Sequence, residues 1–235
     1  MKELTAGGWT RKTLAAVIDH TLLRPDASAE AVRRLCEEAR TYGFASVCVP
    51  PCRVPLAVSC LGGSDGVAVG TVVGFPLGYQ DPVIKVAEAR RAQELGAREI
   101  DMVLNVGWLK EGSHAAAEEE IGAVVAAVRG APVKVILETA MLTDEEKVAA
   151  CALAERGGAR FVKTSTGFGP GGATAEDVRL LRRAVGNRLG VKASGGVRTL
   201  AGALELLAAG ASRLGSSAGV ALVEALADPT PGAPS

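Results

Sequence analysis

Aromatic side chains make up 3% of the 235 residues, so a core built on large rings is excluded. With 48% hydrophobic residues the interior must instead be assembled from Ala, Val, Leu and Ile, a composition that suits regular layers of helix on sheet. Histidine is scarce too. His20 and His114 lie far apart, and among the cysteines only Cys48 and Cys52 have ligand-like spacing, so a zinc site of the usual kind is not expected. The five cysteines (Cys36, Cys48, Cys52, Cys60, Cys151) form an odd, scattered set, which argues for reduced thiols rather than a disulfide framework. Cys48 reads as a core thiol at a strand end. No apolar stretch of about 18 residues occurs, and no run of signal-peptide character follows Met1, so no membrane is expected and the expected location is the cytoplasm. Charge is balanced, 26 basic against 26 acidic residues, without a long run of one sign, so nucleic acid is not an expected partner.

What the chain does have is alternation. Short apolar runs alternate with longer amphipathic ones, the βα pattern, and the runs Val17–Asp19, Ala45–Val49, Ala68–Val73, Glu99–Leu104, Val133–Glu138, Phe161–Thr164, Val191–Ala193 and Ser212–Leu214 predict eight strands. Helix starts are marked by Asp81 with Pro82, by Ser113, by the capping box Thr143 to Glu146 and by Thr199. Gly96, Gly157, Gly158 and Gly210 stand where a left-handed residue closes a helix. Eight such units in one domain predict a closed (β/α)8 TIM barrel over residues 17–227, with a doubly wound open sheet as the alternative. Residues 1–16 are expected to form an extra N-terminal capping helix, and 228–235, DPTPGAPS, a disordered tail.

Active sites of barrels lie at the C-terminal ends of the strands, and polar residues cluster there: Asp19, Asp101, Asn105, Glu138, Lys163, Lys192 and Ser216. Two lysines stand out. In FVKTSTGF (161–168) and LGVKASGGVR (189–198) a lysine follows apolar strand residues, in a chain that otherwise prefers arginine, 18 to 8. An ammonium buried without a partner tends to lose its proton, and a neutral amine is a nucleophile. Two such amines close together repel, so Lys192 is expected to lower the pKa of Lys163. Lys134, at the start of its strand, reads as an interior charge paired with a carboxylate. Asp101 lies within a strand and must be paired or titrating; the residues alone leave an ion pair with an interior lysine open.

For an anion the chain offers Thr166 and Gly167, the pair Gly195 and Gly196, and Gly215 with Ser216 and Ser217 opening the last helix. Glycine allows close backbone approach, and loops after strands seven and eight form a recurrent phosphate cup in this fold, so a ligand phosphate is expected there. Asp19 is placed with these substrate-binding residues, although it and His20 also read as structural hydrogen-bonding groups. Gly167, Gly169 and Gly172 satisfy a dinucleotide fingerprint, but no acidic residue lies between Asp177 and Glu205 to hold a ribose, so nicotinamide is rejected and no cofactor is expected.

The stretches FVKTSTGF and VKASGGVRT, with IDHTLL (18–23), EIDMVLNVG (99–107) and RLGSSAG (213–219), resemble deoxyribose-phosphate aldolases in the same order along nearly the whole chain. The resemblance implies reversible cleavage of 2-deoxy-D-ribose 5-phosphate to acetaldehyde and D-glyceraldehyde 3-phosphate, with Lys163 as Schiff-base lysine and Lys192 with Asp101 in proton relay. It also implies a homodimer or higher oligomer. Departures are Pro50 and Pro51 where many members read Asn-Pro, Ala218 where some have serine, and no tyrosine after Tyr79, so a proton-transfer role for a tail tyrosine is not expected. Rival readings are another lysine-dependent aldolase or transaldolase, and a phosphosugar-binding barrel without turnover.

Overall fold

A computed structural model describes residues 8–62 and 66–226; residues 1–7 of the expected N-terminal helix and the expected tail at 228–235 lie outside the described residues. Eight parallel strands, β1 (Ile18–Thr21), β2 (Ser46–Val49), β3 (Ala68–Val73), β4 (Glu99–Val103), β5 (Val133–Ile136), β6 (Phe161–Lys163), β7 (Gly190–Ser194) and β8 (Arg213–Ser216), pair in sequence order and close by pairing β8 with β1. This is the (β/α)8 barrel, not the open sheet.

The crossovers carry α2 (Ala29–Tyr42), α3 (Val54–Leu61), α4 (Pro82–Glu94), α6 (His114–Ala127), α7 (Asp144–Arg156), α8 (Ala175–Val185) and α9 (Leu200–Ala208), with a short α5 (Val106–Lys110) before α6 and α10 (Gly219–Glu224) after β8. A five-residue α1 (Arg11–Ala15) precedes β1, buries Leu14 and Ala15 and packs against α10.

Two helices show most plainly why they pack: their apolar residues recur on one face. In α2 these are Val32, Leu35, Cys36 and Ala39, and in α8 Val178, Leu181 and Val185, so each of the two lays one stripe on the sheet. Strands alternate instead. Val133 and Val135 of β5 join the outer core while Lys134 points the other way, and the same period of two sends Ile100 and Met102 outward and Asp101 inward. Full burial of each leucine-sized chain in this sheet-to-helix shell contributes about 1.5–3 kcal/mol.

Most helix signals hold. Asp81 accepts from the Val83 amide with Pro82 at the first turn, Thr143 and Glu146 form the capping box, and Thr199 accepts from the Gly202 amide. Ser113 precedes α6 without a side-chain bond to it. Gly96, Gly158 and Gly210 are left-handed, but Gly157 is not: one left-handed residue ends α7, and Gly157 is small because a Cβ there would come within 2.6 Å of Ile121 Cγ2.

Candidate active site

Strand register brings the interior polar residues together. Lys163 on β6 is the register partner of Lys192 on β7, Lys192 that of Arg213 on β8, and Asp101 on β4 that of Lys134 on β5. Asp101 is the hub. Its Oδ2 accepts from Lys163 Nζ at 2.8 Å and from Lys192 Nζ at 2.7 Å, while Oδ1 accepts from Lys134 Nζ at 2.8 Å. Lys134 also donates to Glu99 Oε2 at 2.7 Å, Lys192 donates to Asp19, and Arg213 donates to Asp19 Oδ1 at 2.6 Å.

Four cations thus face three carboxylates, Asp19, Glu99 and Asp101, in a buried cluster. Fully charged, it carries one positive charge too many, and desolvation makes that excess costly. The cost falls on Lys163. Burial first of all, then the charge of Lys192, lowers its pKa against the opposing pull of Asp101. Burial is therefore the larger influence, and the neighbouring lysine, expected from sequence to lower this pKa, acts in the expected direction but comes after it. Burial also works against charge on Lys192, but Asp101 and Asp19 outweigh it and raise its pKa, so Lys192 keeps its proton.

Asp19 and Asp101 resist protonation. Burial would raise both, yet their lysine partners hold them below the ordinary carboxylate value of 3.8. The sign follows: their contribution to stability is present above that value and is lost as pH falls through it toward the lower folded values. Replacing Asp19 with alanine is expected to cost about 3–5 kcal/mol, since Lys192 and Arg213 lose a buried partner. Urea unfolding at neutral pH measures this, and a loss within experimental error would contradict the pairing.

Above the cluster opens a cavity of about 260 Å³ lined by Lys163, Thr166, Gly167, Gly195, Gly196, Gly215, Ser216 and Ser217 among others. Lys163 reaches it; Lys192, Asp101 and Asp19 do not line it and are fully buried. Gly195 and Gly196 have φ of +87° and +78°, which glycine adopts without strain. Gly172 allows the β6–α8 loop to lie on the next one, since a Cβ there would come within 2.3 Å of the Gly195 carbonyl oxygen. Ser216 is turned partly inward: its hydroxyl donates to the Val197 carbonyl and accepts from the Ala218 amide. The Thr166 amide and hydroxyl are both engaged by Glu138. α10 has six residues and begins at Gly219, after the serines.

Other sequence candidates fall elsewhere. Asn105 caps α5 by accepting from the Trp108 amide at 3.2 Å. His20 points out of the barrel, pairs with Glu38 at 2.7 Å and packs on Phe44. Cys48 faces the cluster, and burial with the Asp101 charge pushes its thiol up to about 11, so it stays protonated; Cys52 is exposed.

Sequence reading missed Glu99, Arg213 and the lining residues Arg24, Phe168 and Arg198. For Glu99 a signal existed. It lies two residues before Asp101 in one strand, which puts both on the same face.

The family model for DeoC/LacD family aldolases matches residues 13–224. The chain is 56% identical over 214 residues to the deoxyribose-phosphate aldolase of Caldanaerobacter subterraneus subsp. tengcongensis, covering 90% of this chain and 92% of that protein. To that of Listeria innocua it is 55% identical over 212 residues, covering 90% and 95%. Among solved structures, the tetrameric deoxyribose phosphate aldolase from Aeropyrum pernix superposes with a TM-score of 0.85 at 36% identity, covering 92% of each chain.

Proposed function

The chain belongs to the DeoC/LacD aldolase family, and from that membership we propose that it is a class I aldolase that reversibly cleaves 2-deoxy-D-ribose 5-phosphate into acetaldehyde and D-glyceraldehyde 3-phosphate. One observation carries this reading: Lys163 is a buried amine of lowered pKa whose end opens into a cavity ringed by glycines and serines.

Neutral Lys163 attacks C1 of the open-chain sugar to give a carbinolamine, and loss of water gives an iminium. The electron pair of the C2–C3 bond then flows into that cation, forming an enamine as the C3 hydroxyl proton leaves and glyceraldehyde 3-phosphate separates. Protonation of C2 and hydrolysis release acetaldehyde and restore the amine. The proton taken at C3 and the one given at C2 balance, and Asp101 with Lys192 handles them: Lys192 holds a proton, and Asp101 bonds both amines through one oxygen. Because Asp101 and Lys192 do not line the cavity wall, the transfer runs by way of water or of the Lys163 adduct.

For the phosphate, Gly167, Gly195, Gly196, Gly215, Ser216 and Ser217 supply close backbone approach and Ser217 a hydroxyl, while Thr166 shapes the loop. Arg24 and Arg198 at the same cavity add positive charge. Asp19, proposed from sequence as a substrate residue, contributes from below by holding Lys192. Fixing the far end of the sugar lets binding energy act on the reacting carbons.

The five free thiols suit a reducing, cytoplasmic compartment, and among the described residues no helix is long and apolar enough to cross a membrane. A homodimer or higher oligomer is supported by the tetrameric Aeropyrum pernix relative and by Leu77, Tyr79, Val83 and Ile84, exposed together on one short segment.

The test combines product release with trapping. A coupled assay is expected to report glyceraldehyde 3-phosphate from the deoxy sugar phosphate, and borohydride with acetaldehyde to leave a two-carbon adduct on Lys163. With a ketose phosphate offered in place of acetaldehyde, an adduct on Lys163 would favour a different lysine aldolase, and no adduct with either carbonyl a barrel without turnover.

A further inference from the structure

Glu138, at the end of β5, has φ +56° and ψ +61°. Among the described residues only Arg129 shares the left-handed region without being glycine, and a side chain held there is strained. Such a conformation persists when surrounding contacts fix it, and for Glu138 the contacts run to one place. Its carboxyl is buried, 5% exposed, and Oε2 accepts from the Thr166 amide at 3.2 Å and from the Thr166 hydroxyl. The same hydroxyl accepts from the Phe168 amide at 3.0 Å. Gly169 packs against the carboxyl so closely that a Cβ there would lie 2.7 Å from Glu138 Cδ.

The loop after β6 is therefore held from two sides. On one, Ser194 Oγ donates to the Ser165 carbonyl at 2.6 Å and the Ala173 amide donates to the Gly195 carbonyl at 3.0 Å, tying it to the loop after β7. On the other stands Glu138. Between them, Thr166, Gly167 and Phe168 form the cavity wall beside Lys163. Glu138 does not line the cavity, and its Oε1 is buried with no hydrogen-bond partner. A buried, half-satisfied carboxyl on strained backbone is a poor device for stability alone.

We propose that Glu138 is a positioning residue for recognition of the substrate phosphate: by engaging both donors of Thr166 it fixes the shape that Gly167 and its neighbours present to the anion. This rests on the phosphosugar reading above.

The readout is the phosphate preference, the kcat/KM for 2-deoxy-D-ribose 5-phosphate divided by that for 2-deoxy-D-ribose. Glycine adopts the backbone of residue 138 without strain, so Glu138→Gly removes the whole side chain, carboxyl included, without adding backbone strain; the preference is expected to fall about tenfold or more, through KM rather than kcat. Glu138→Gln keeps an oxygen that can accept from Thr166 and is expected to return the preference to within about threefold of wild type. Should Glu138→Gly fail to fold, Thr166→Val, which removes the hydroxyl donor, must lower the same ratio. Retention of the wild-type preference by these variants overturns the proposal, as does an equal loss on both substrates. Absence of any preference in the wild-type protein would instead refute the phosphate cup itself.

Discussion

Replacing Lys163 with leucine is expected to cut turnover of 2-deoxy-D-ribose 5-phosphate by roughly 10⁴- to 10⁶-fold, the scale on which removal of a covalent nucleophile disables a site that acts as a unit. Leucine approximates the buried aliphatic part of the side chain and deletes the amine. Asp101 keeps Lys192 on Oδ2 and Lys134 on Oδ1, so the cluster stays paired. It also loses the one amine whose protonation would give the cluster more cations than carboxylates. The variant should accordingly fold, retain affinity for the sugar phosphate measured by calorimetry, and give no borohydride adduct in the mass spectrum. Residual turnover within tenfold of wild type, or an adduct that moves to Lys134 or Lys192, would show that another amine is the nucleophile.

The second large effect concerns Lys192. Its replacement by leucine is expected to lower kcat at neutral pH about 10²-fold or more, since proton transfer and the tuning of Lys163 fail together. The pH profile separates the two. Lys163 must be neutral to attack, and a nearby positive charge favours its neutral form; with that charge gone, and Asp101 Oδ2 left to Lys163 alone, its pKa rises. The acidic limb of kcat/KM should therefore move to higher pH, by about one pH unit or more. Lowered activity with an unmoved limb would assign Lys192 to proton transfer only, and an unmoved limb with undiminished activity would remove it from the mechanism.

The barrel could be read from sequence because period two and period 3.6 each leave a mark in a chain with so few aromatics, and all eight expected strands occur, with ends shifted by no more than two residues. The site was legible in part for the same reason. A lysine ending an apolar run, as in FVK and GVK, is a local anomaly that needs no neighbour to be noticed. Arg213 could not be found this way: it begins its strand, where an arginine reads as an ordinary surface charge, and only closure of β8 on β1 carries it to Asp19. Nor could the rank of causes acting on Lys163 be read, because desolvation depends on how many elements close over a group. Gly157 shows a further limit, since a glycine needed for room beside Ile121 looks in sequence like one needed for its backbone.

The ionic filling of the barrel has a consequence for engineering. Where other barrels stack branched aliphatic residues in the lumen, this one spends a central stratum on ammonium, guanidinium and carboxylate groups, which hold one another in place while adding little net free energy. Resistance to heat must then be sought in the mantle between strands and helices, among residues such as Val135, Ile121 and Leu181. Exchanging the polar stratum for hydrocarbon could yield a tougher scaffold, but one that no longer makes or breaks carbon–carbon bonds.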